Sequence, residues 1–278
     1  MRAFTLNRDQ IKGIAMMTML LNHISQIFMT SGTFWAELFL DVGWFTAITM
    51  CYFLVEGYAY THDKRRYALR LAIFAVISQP AYLLAFPEEG WYKLNILFTL
   101  LLSFVILVVR EQIARKCWRN LAIVGLFLVS LVCDWAILAP AFTLLFAWAG
   151  RDAHKRPRAF LASILLFGAM NFLGGIGRFS LAQNLGYALA AMSGPALAAI
   201  AICCFYNGQR ATRGRTAAKW FFYIFYPAHL AVLGVIRIIL AQIKHPPDEI
   251  VRGVLAFVIN TIRGRWLRSG RGRVARSC

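Results

Sequence analysis

Apolar residues fill this chain in long blocks, interrupted by polar residues at a few definite places. Runs of about 17–25 apolar residues recur along it, too long and too continuous for the alternating strands of a β-barrel. They predict an all-α fold: a polytopic helical integral membrane protein. The runs cover roughly 10–30, 40–61, 68–86, 93–110, 119–134, 137–150, 159–177, 182–206 and 217–243. With the further apolar stretch near 250–262, nine or ten transmembrane helices are expected. That last stretch is shorter than a normal span, so it either crosses as a tenth helix or lies in the interface. Residues 263–278 are basic and Gly-rich and read as a disordered tail. The expected organisation is a membrane domain over 1–245, a short apolar segment over 246–262 and the tail over 263–278. The internal repeat typical of many transporters is missing.

Several of the interrupting residues are ionisable. In the first run, 19-MLLNHISQIF-28 carries Asn22 and His23 in its middle. At 100° per residue, Lys12, Thr18, Asn22, His23, Ser25 and Gln26 share one side of the helix, which therefore lines a protein interior or a wet cavity. Asn22 reads equally as a hydrogen-bonding packing residue. The last long run, 219-KWFFYIFYPAHLAVLGVI-236, places His229 beside Pro227, and Tyr226 three residues earlier on a neighbouring face. Pro227 cannot donate to the Tyr223 carbonyl, so the helix bends there. Two histidines in separate membrane helices point to proton chemistry more strongly than either alone.

Composition and charge sharpen the picture. The 278 residues are 60% hydrophobic with a net charge of +18. The basic residues cluster in alternate loops, around Arg2–Lys12, Lys64–Arg70, Arg110–Arg119, Arg151–Arg158 and Arg210–Lys219. This is the positive-inside pattern, and it predicts a cytoplasmic N-terminus. It also accounts for the charge without nucleic acid as a partner. The first run is long enough to be retained as a span, with no cleavage site after it. The six cysteines form no CxxC pair and no zinc spacing, so no metal is expected.

With that orientation, His23, Asp41, Asn95, Asp134 and Arg178 fall toward the outer half. Asp41 and Arg178 also suit ordinary polar helix ends. Glu56 lies about 22 Å along the helix from Asp41, so the two carboxylates cannot form an acid/base pair, and Glu56 is expected to pair with a basic residue.

Five stretches together resemble the TraX family, the pilin-acetylation proteins of conjugative plasmids and their bacterial relatives. They are 12-KGIAMMTMLLNHI-24, 54-LVEGYAYTHDKRRYALRLAIFAVISQPAYLLAF-86, 94-LNILFTLLL-102, 133-CDWAILAPAFTLLFAW-148 and 219-KWFFYIFYPAHLAVLGV-235. The resemblance implies an inner-membrane acyltransferase that acetylates the N-terminal amine of a pilin or other small membrane protein, with acetyl-CoA as donor. Where the family usually carries Asp before the first-span histidine, this chain has Asn22, so no Asp–His dyad is available within that helix. On this reading His23 or His229 is the general base, and Asn22, Asn95, Tyr226 and Asp134 are candidates for binding substrate or the oxyanion. Arg65, Arg66, Arg210, Arg213 and Arg215 are the nearest cations for the phosphates of the donor, although membrane topology alone explains them. The alternative function is a proton-coupled transporter or flippase whose histidines relay protons.

Overall fold

A computed structural model describes residues 4–212 and 214–244, with the backbone alone for 215–219 and 244. The chain divides into two compact units, Met1–Gly234 and Val235–Cys278. The site described below lies within the first. The apolar segment 246–262 and the tail 263–278 lie outside the described residues, as does Arg213.

Each long apolar run folds as helix. In chain order the elements are α1 (Arg8–Phe28), α2 (Phe34–Gly43), α3 (Phe45–Tyr60), α4 (Lys64–Ala85), α5 (Ile96–Gln112), α6 (Lys116–Val129), α7 (Leu138–Ala149), α8 (Lys155–Gly175), α9 (Leu181–Ala191), α10 (Ser193–Ile200) and α11 (Arg215–Lys244). Among the described residues the only β pairing consists of two isolated bridges, Leu6 with Tyr206 and Leu94 with Cys133. The fold is all-α and membrane-like.

The expected count of nine or ten spans is not met. Five helical stretches among the described residues are long and apolar enough to cross a bilayer: Phe34–Tyr60, Lys64–Ala85, Lys155–Gly175, Leu181–Phe205 and Trp220–Ile243. The others fall short for identifiable reasons. α5, α6 and α7 have 17, 14 and 12 residues, which at 1.5 Å per residue is less than the ~30 Å hydrocarbon thickness. α1 gives one side to polar residues, among them Arg8, Thr18, Asn22 and Ser25, all buried.

The surface supports the membrane reading. Val76 on α4, Leu121 and Leu128 on α6, Leu161 on α8, Leu189 on α9 and Ile224 on α11 are all more than half exposed. Large apolar side chains thus lie open on five helices, as suits a surface that meets lipid. The interior is built on phenylalanine, with Phe53, Phe104, Phe142, Phe146 and Phe160 fully buried.

Two local devices fix the helices that matter for the site. Asn7 and Gln10 form a reciprocal capping box at the start of α1. The chain just before it is then tied down, Leu6 N donating to the Phe205 carbonyl and Arg8 N to the Gln209 carbonyl, both at 2.8 Å. α1 and α2 run antiparallel at close range. The Asn22 amide donates to the Leu40 carbonyl (2.9 Å) and the Ser25 hydroxyl to the Ala36 carbonyl (2.7 Å). The approach requires glycine at 43, because a Cβ there would lie 2.2 Å from the Asn22 Cβ.

Candidate functional site

α1 and α11 bring the two histidines together. Nδ1 of His23 lies 2.8 Å from Nε2 of His229. The rings are parallel to within 1°, with centroids 5.1 Å apart. That separation is about the nitrogen–nitrogen distance plus the two ring radii. The imidazoles therefore meet edge to edge in one plane, with lone pair and N–H aligned, rather than face to face.

The proton positions follow from the partners. Nδ1 of His229 is 2.7 Å from the carbonyl of Phe225, which can only accept. His229 must therefore carry its proton on Nδ1 and, when neutral, offer a lone pair on Nε2. His23 then donates from Nδ1, and its own lone pair is left on Nε2. A backbone carbonyl thus sets the tautomer of both rings. His229 is buried, with the Phe225 ring stacked on it at 4.8 Å and Tyr226 edge-on at 5.7 Å. Phe86 closes the other side of His23 at 5.4 Å.

His23 lines a cavity of about 350 Å³ together with Asn22, Gln26, Tyr82, Glu89, Asp134 and Asn171. Its aromatic wall is Trp44, Trp135 and Phe167, packed with ring centroids 5.3–5.5 Å apart. Asp134 and Trp135 reach it from a loop held under backbone strain. Trp135 and Ile137 adopt φ of 56° and 63°, a region that β-branched and bulky residues avoid. Leu138 N donates to the Ala136 carbonyl at 2.6 Å, closing a strained γ-turn centred on Ile137. The surrounding bonds enforce this shape. Asp134 N donates to the Leu94 carbonyl (2.7 Å), Thr99 Oγ1 to the Asp134 carbonyl, and Ile137 N to Ser130 Oγ (3.1 Å). Strain of this kind persists where the surroundings over-determine it, often at functional sites.

A second, larger cavity of about 540 Å³ opens along the N-terminal half of α1. Arg8, Lys12, Arg70 and Arg210 line it, with Asp9 the one carboxylate. Lys12 holds its ammonium 5.6 Å from the Phe53 ring centre and 5.3 Å from that of Phe222. The apolar wall includes Met16, Met19 and Leu97, and Tyr226 joins it. Tyr226 thus borders this cavity while touching His229, whose partner His23 borders the other.

The remaining candidates are placed as follows. Asn22 lines the first cavity, but its amide is engaged by Leu40 and its oxygen accepts from Gln26. Asn95 is fully buried and caps α5, donating to the Ala75 carbonyl and Gln79 Oε1 while its oxygen accepts from Leu97 N. It lines neither cavity, and every polar atom of its side chain is bonded within the cap of α5. Glu56 pairs with a cation as anticipated, 3.6 Å from Arg8, and also accepts from the Tyr206 hydroxyl (2.8 Å). Asp41 packs its backbone carbonyl against Gly194, and Arg178 is exposed in the turn after α8; both are away from the cavities. Arg65 and Arg66 are exposed, and Arg66 bonds Asp63 at 2.9 Å. Of the loop arginines only Arg210 reaches the basic cavity; the side chain of Arg215 lies outside the described residues.

Glu89, the aromatic wall and Arg70 did not emerge from the sequence. Glu89 sits in a turn, and no periodicity connects it to His23. Trp44, Trp135 and Phe167 look like ordinary apolar residues until three separate elements bring them together.

A helical, membrane-type bundle with a hydrogen-bonded imidazole pair beside a polar cavity defines a membrane-like protein with two histidines joined in its interior. Within that class the assignment is specific: the family model described as TraX protein matches residues 7–237, and the chain belongs to that family. It is 32% identical to the probable fimbrial assembly protein FimC, serogroup H1, of Dichelobacter nodosus over 233 residues, covering 81% of this chain and 93% of the relative. It is 28% identical to Protein TraX of Escherichia coli over 246 residues, covering 83% and 87%. No solved structure matches the chain.

Proposed function

We propose that this chain is a membrane-embedded N-acetyltransferase of the bacterial inner membrane, transferring an acetyl group from acetyl-CoA to the N-terminal amine of a pilin or other small membrane protein. The observation that carries the proposal is the in-plane His23–His229 pair, with His23 lining a cavity. A neutral imidazole whose tautomer is held by a fixed acceptor keeps a lone pair available to take a proton, as a general base requires. The fimbrial relative and the family resemblance supply the acceptor class.

The two cavities suit the two substrates. The basic one, near the N-terminus that the charge pattern assigns to the cytoplasm, offers Arg8, Lys12, Arg70 and Arg210 to the phosphates of the donor. Its apolar wall suits the pantetheine arm. The acceptor enters the other. In the reaction the amine nitrogen forms a bond to the thioester carbonyl carbon, the C–S bond breaks, and the thiol leaves with a proton. His23 Nε2 receives a proton from the nitrogen, while His229 steadies the charge that builds on His23 through its lone pair on Nε2. The base is one nitrogen of a two-ring unit.

The test is incubation of membranes containing this protein with labelled acetyl-CoA, followed by mass spectrometry of small membrane proteins. Acetylated N-termini that disappear when the gene is removed support the proposal. A substrate carried across the membrane with no acetyl label on any protein would replace it with the transporter reading.

A further inference from the structure

The cavity beside His23 reverses the charge of the molecule. The chain has 30 Lys and Arg against 12 Asp and Glu, yet among the described residues those lining this cavity with a charge are Glu89 and Asp134, with no Lys or Arg. Among the described residues, ion pairs form at Glu56, Glu111, Asp63 and Asp152; neither Glu89 nor Asp134 takes part in one. Lys93 acts on Asp134 across space, without an ion pair. Asp134 uses Oδ1 to accept from Trp135 N at 2.9 Å, and no hydrogen bond engages Oδ2. Glu89 is exposed and Asp134 half-buried, and a half-buried carboxylate oxygen that no hydrogen bond engages is open to a cationic ligand. The same cavity is lined by the rings of Trp44, Trp135 and Phe167. Carboxylates and aromatic rings in one cavity are a combination that holds an organic cation: the rings attract it through their quadrupoles and give nothing comparable to an anion.

We infer that this cavity is an ammonium site: Glu89 and Asp134 receive the protonated α-amine of the acceptor chain against the Trp44–Trp135–Phe167 wall and present its nitrogen to Nε2 of His23. The identity of the acceptor rests on the acetyltransferase reading, but the binding is separable from it. The proton balance follows. Of the three ammonium hydrogens, one remains on the amide, one leaves with the thiol, and one passes through His23 to solvent. The site also gives a reason for amine selectivity. A hydroxyl acceptor of the same shape would fill the pocket and leave both carboxylates uncompensated, so the discrimination is electrostatic.

The test uses full-length protein in lipid nanodiscs and a synthetic apolar peptide with a fluorophore at its C-terminus. One version has a free α-amine and the other a hydroxyl in its place; binding is read by anisotropy at neutral pH. The amine peptide should bind about tenfold or more tightly than the hydroxyl peptide. Glu89→Gln and Asp134→Asn should each reduce that ratio, and the double variant should abolish it. Asn at 134 keeps the acceptor for Trp135 N, and Glu89 is exposed, so both variants should fold. Equal binding of the two peptides, binding of neither, or a ratio that survives the double variant would overturn the inference. A ratio that behaves as described while no acetyl group is ever transferred would leave the ammonium site standing and remove the acetyltransferase reading.

Discussion

Asn22 and His23 are adjacent in sequence and differ in role. Asn22 spans the gap to α2, giving its amide to Leu40 and its oxygen to Gln26, so it holds the turn of α1 from which His23 projects. Asn22→Ala should leave the Leu40 carbonyl without this donor and lower stability by about 1–2 kcal/mol, with a smaller loss of transfer than any histidine variant; thermal unfolding in detergent and an acetyl-transfer assay measure the two. A collapse of transfer at unchanged stability would instead place Asn22 in the chemistry. The basic cavity makes a second residue-scale prediction. Lys12→Met keeps the apolar contact with Phe53 and Phe222 but removes the charge. It should raise the donor KM severalfold with little effect on kcat, since a phosphate contact is made equally in the ground and transition states. Much at this scale was legible in the sequence, because a His or Asn in an apolar helix is conspicuous and its helical face can be computed. Asn95 is ambiguous in sequence for a physical reason: a buried asparagine at a helix start looks the same whether it caps the helix or binds a ligand.

The element that matters most is the α1–α2 hairpin, whose closeness depends on Gly43. A methyl group there would meet the Asn22 Cβ at 2.2 Å, and a Cβ at the root of a side chain cannot rotate away. Gly43→Ala should force the helices apart, costing about 1–3 kcal/mol of stability and tilting His23 out of line with His229. Transfer should fall at least as far as stability predicts. Gly125→Ala on α6 is the control, because nothing lies within 4 Å of its added Cβ; it should change neither quantity. A Gly43→Ala protein with wild-type unfolding temperature would refute the close packing. Helix positions were readable from the apolar runs, but this contact was not. Periodicity shows which face of α1 is polar and cannot say which helix answers it. The strained loop at 133–138 was equally hidden, since Trp135 and Ile137 carry no signal for left-handed backbone.

For the molecule as a whole, the proposal carries an orientation: the N-terminal end and the basic loops face the cytoplasm by the positive-inside rule, and the basic cavity opens on that side. Single cysteines introduced at 31–33 or 88–92 into a cysteine-free background should react with an impermeant maleimide added outside, and those at 62–63 or 209–211 should not. The reverse labelling would invert the orientation. The number of crossings was overestimated from sequence because hydropathy runs alone do not measure helix length; α6 and α7 end after 14 and 12 residues. The claim that binds all three scales is that His23 and His229 act as one base. Acetyl transfer should therefore be measured for His23→Ala, His229→Ala and the double variant at saturating donor, alongside expression level and unfolding temperature. Each single variant should lose roughly 10²–10⁴ in rate with little change in stability, and the double variant should be no more than a few-fold slower than the slower single. Wild-type transfer in either single variant, or losses that multiply in the double, would contradict it.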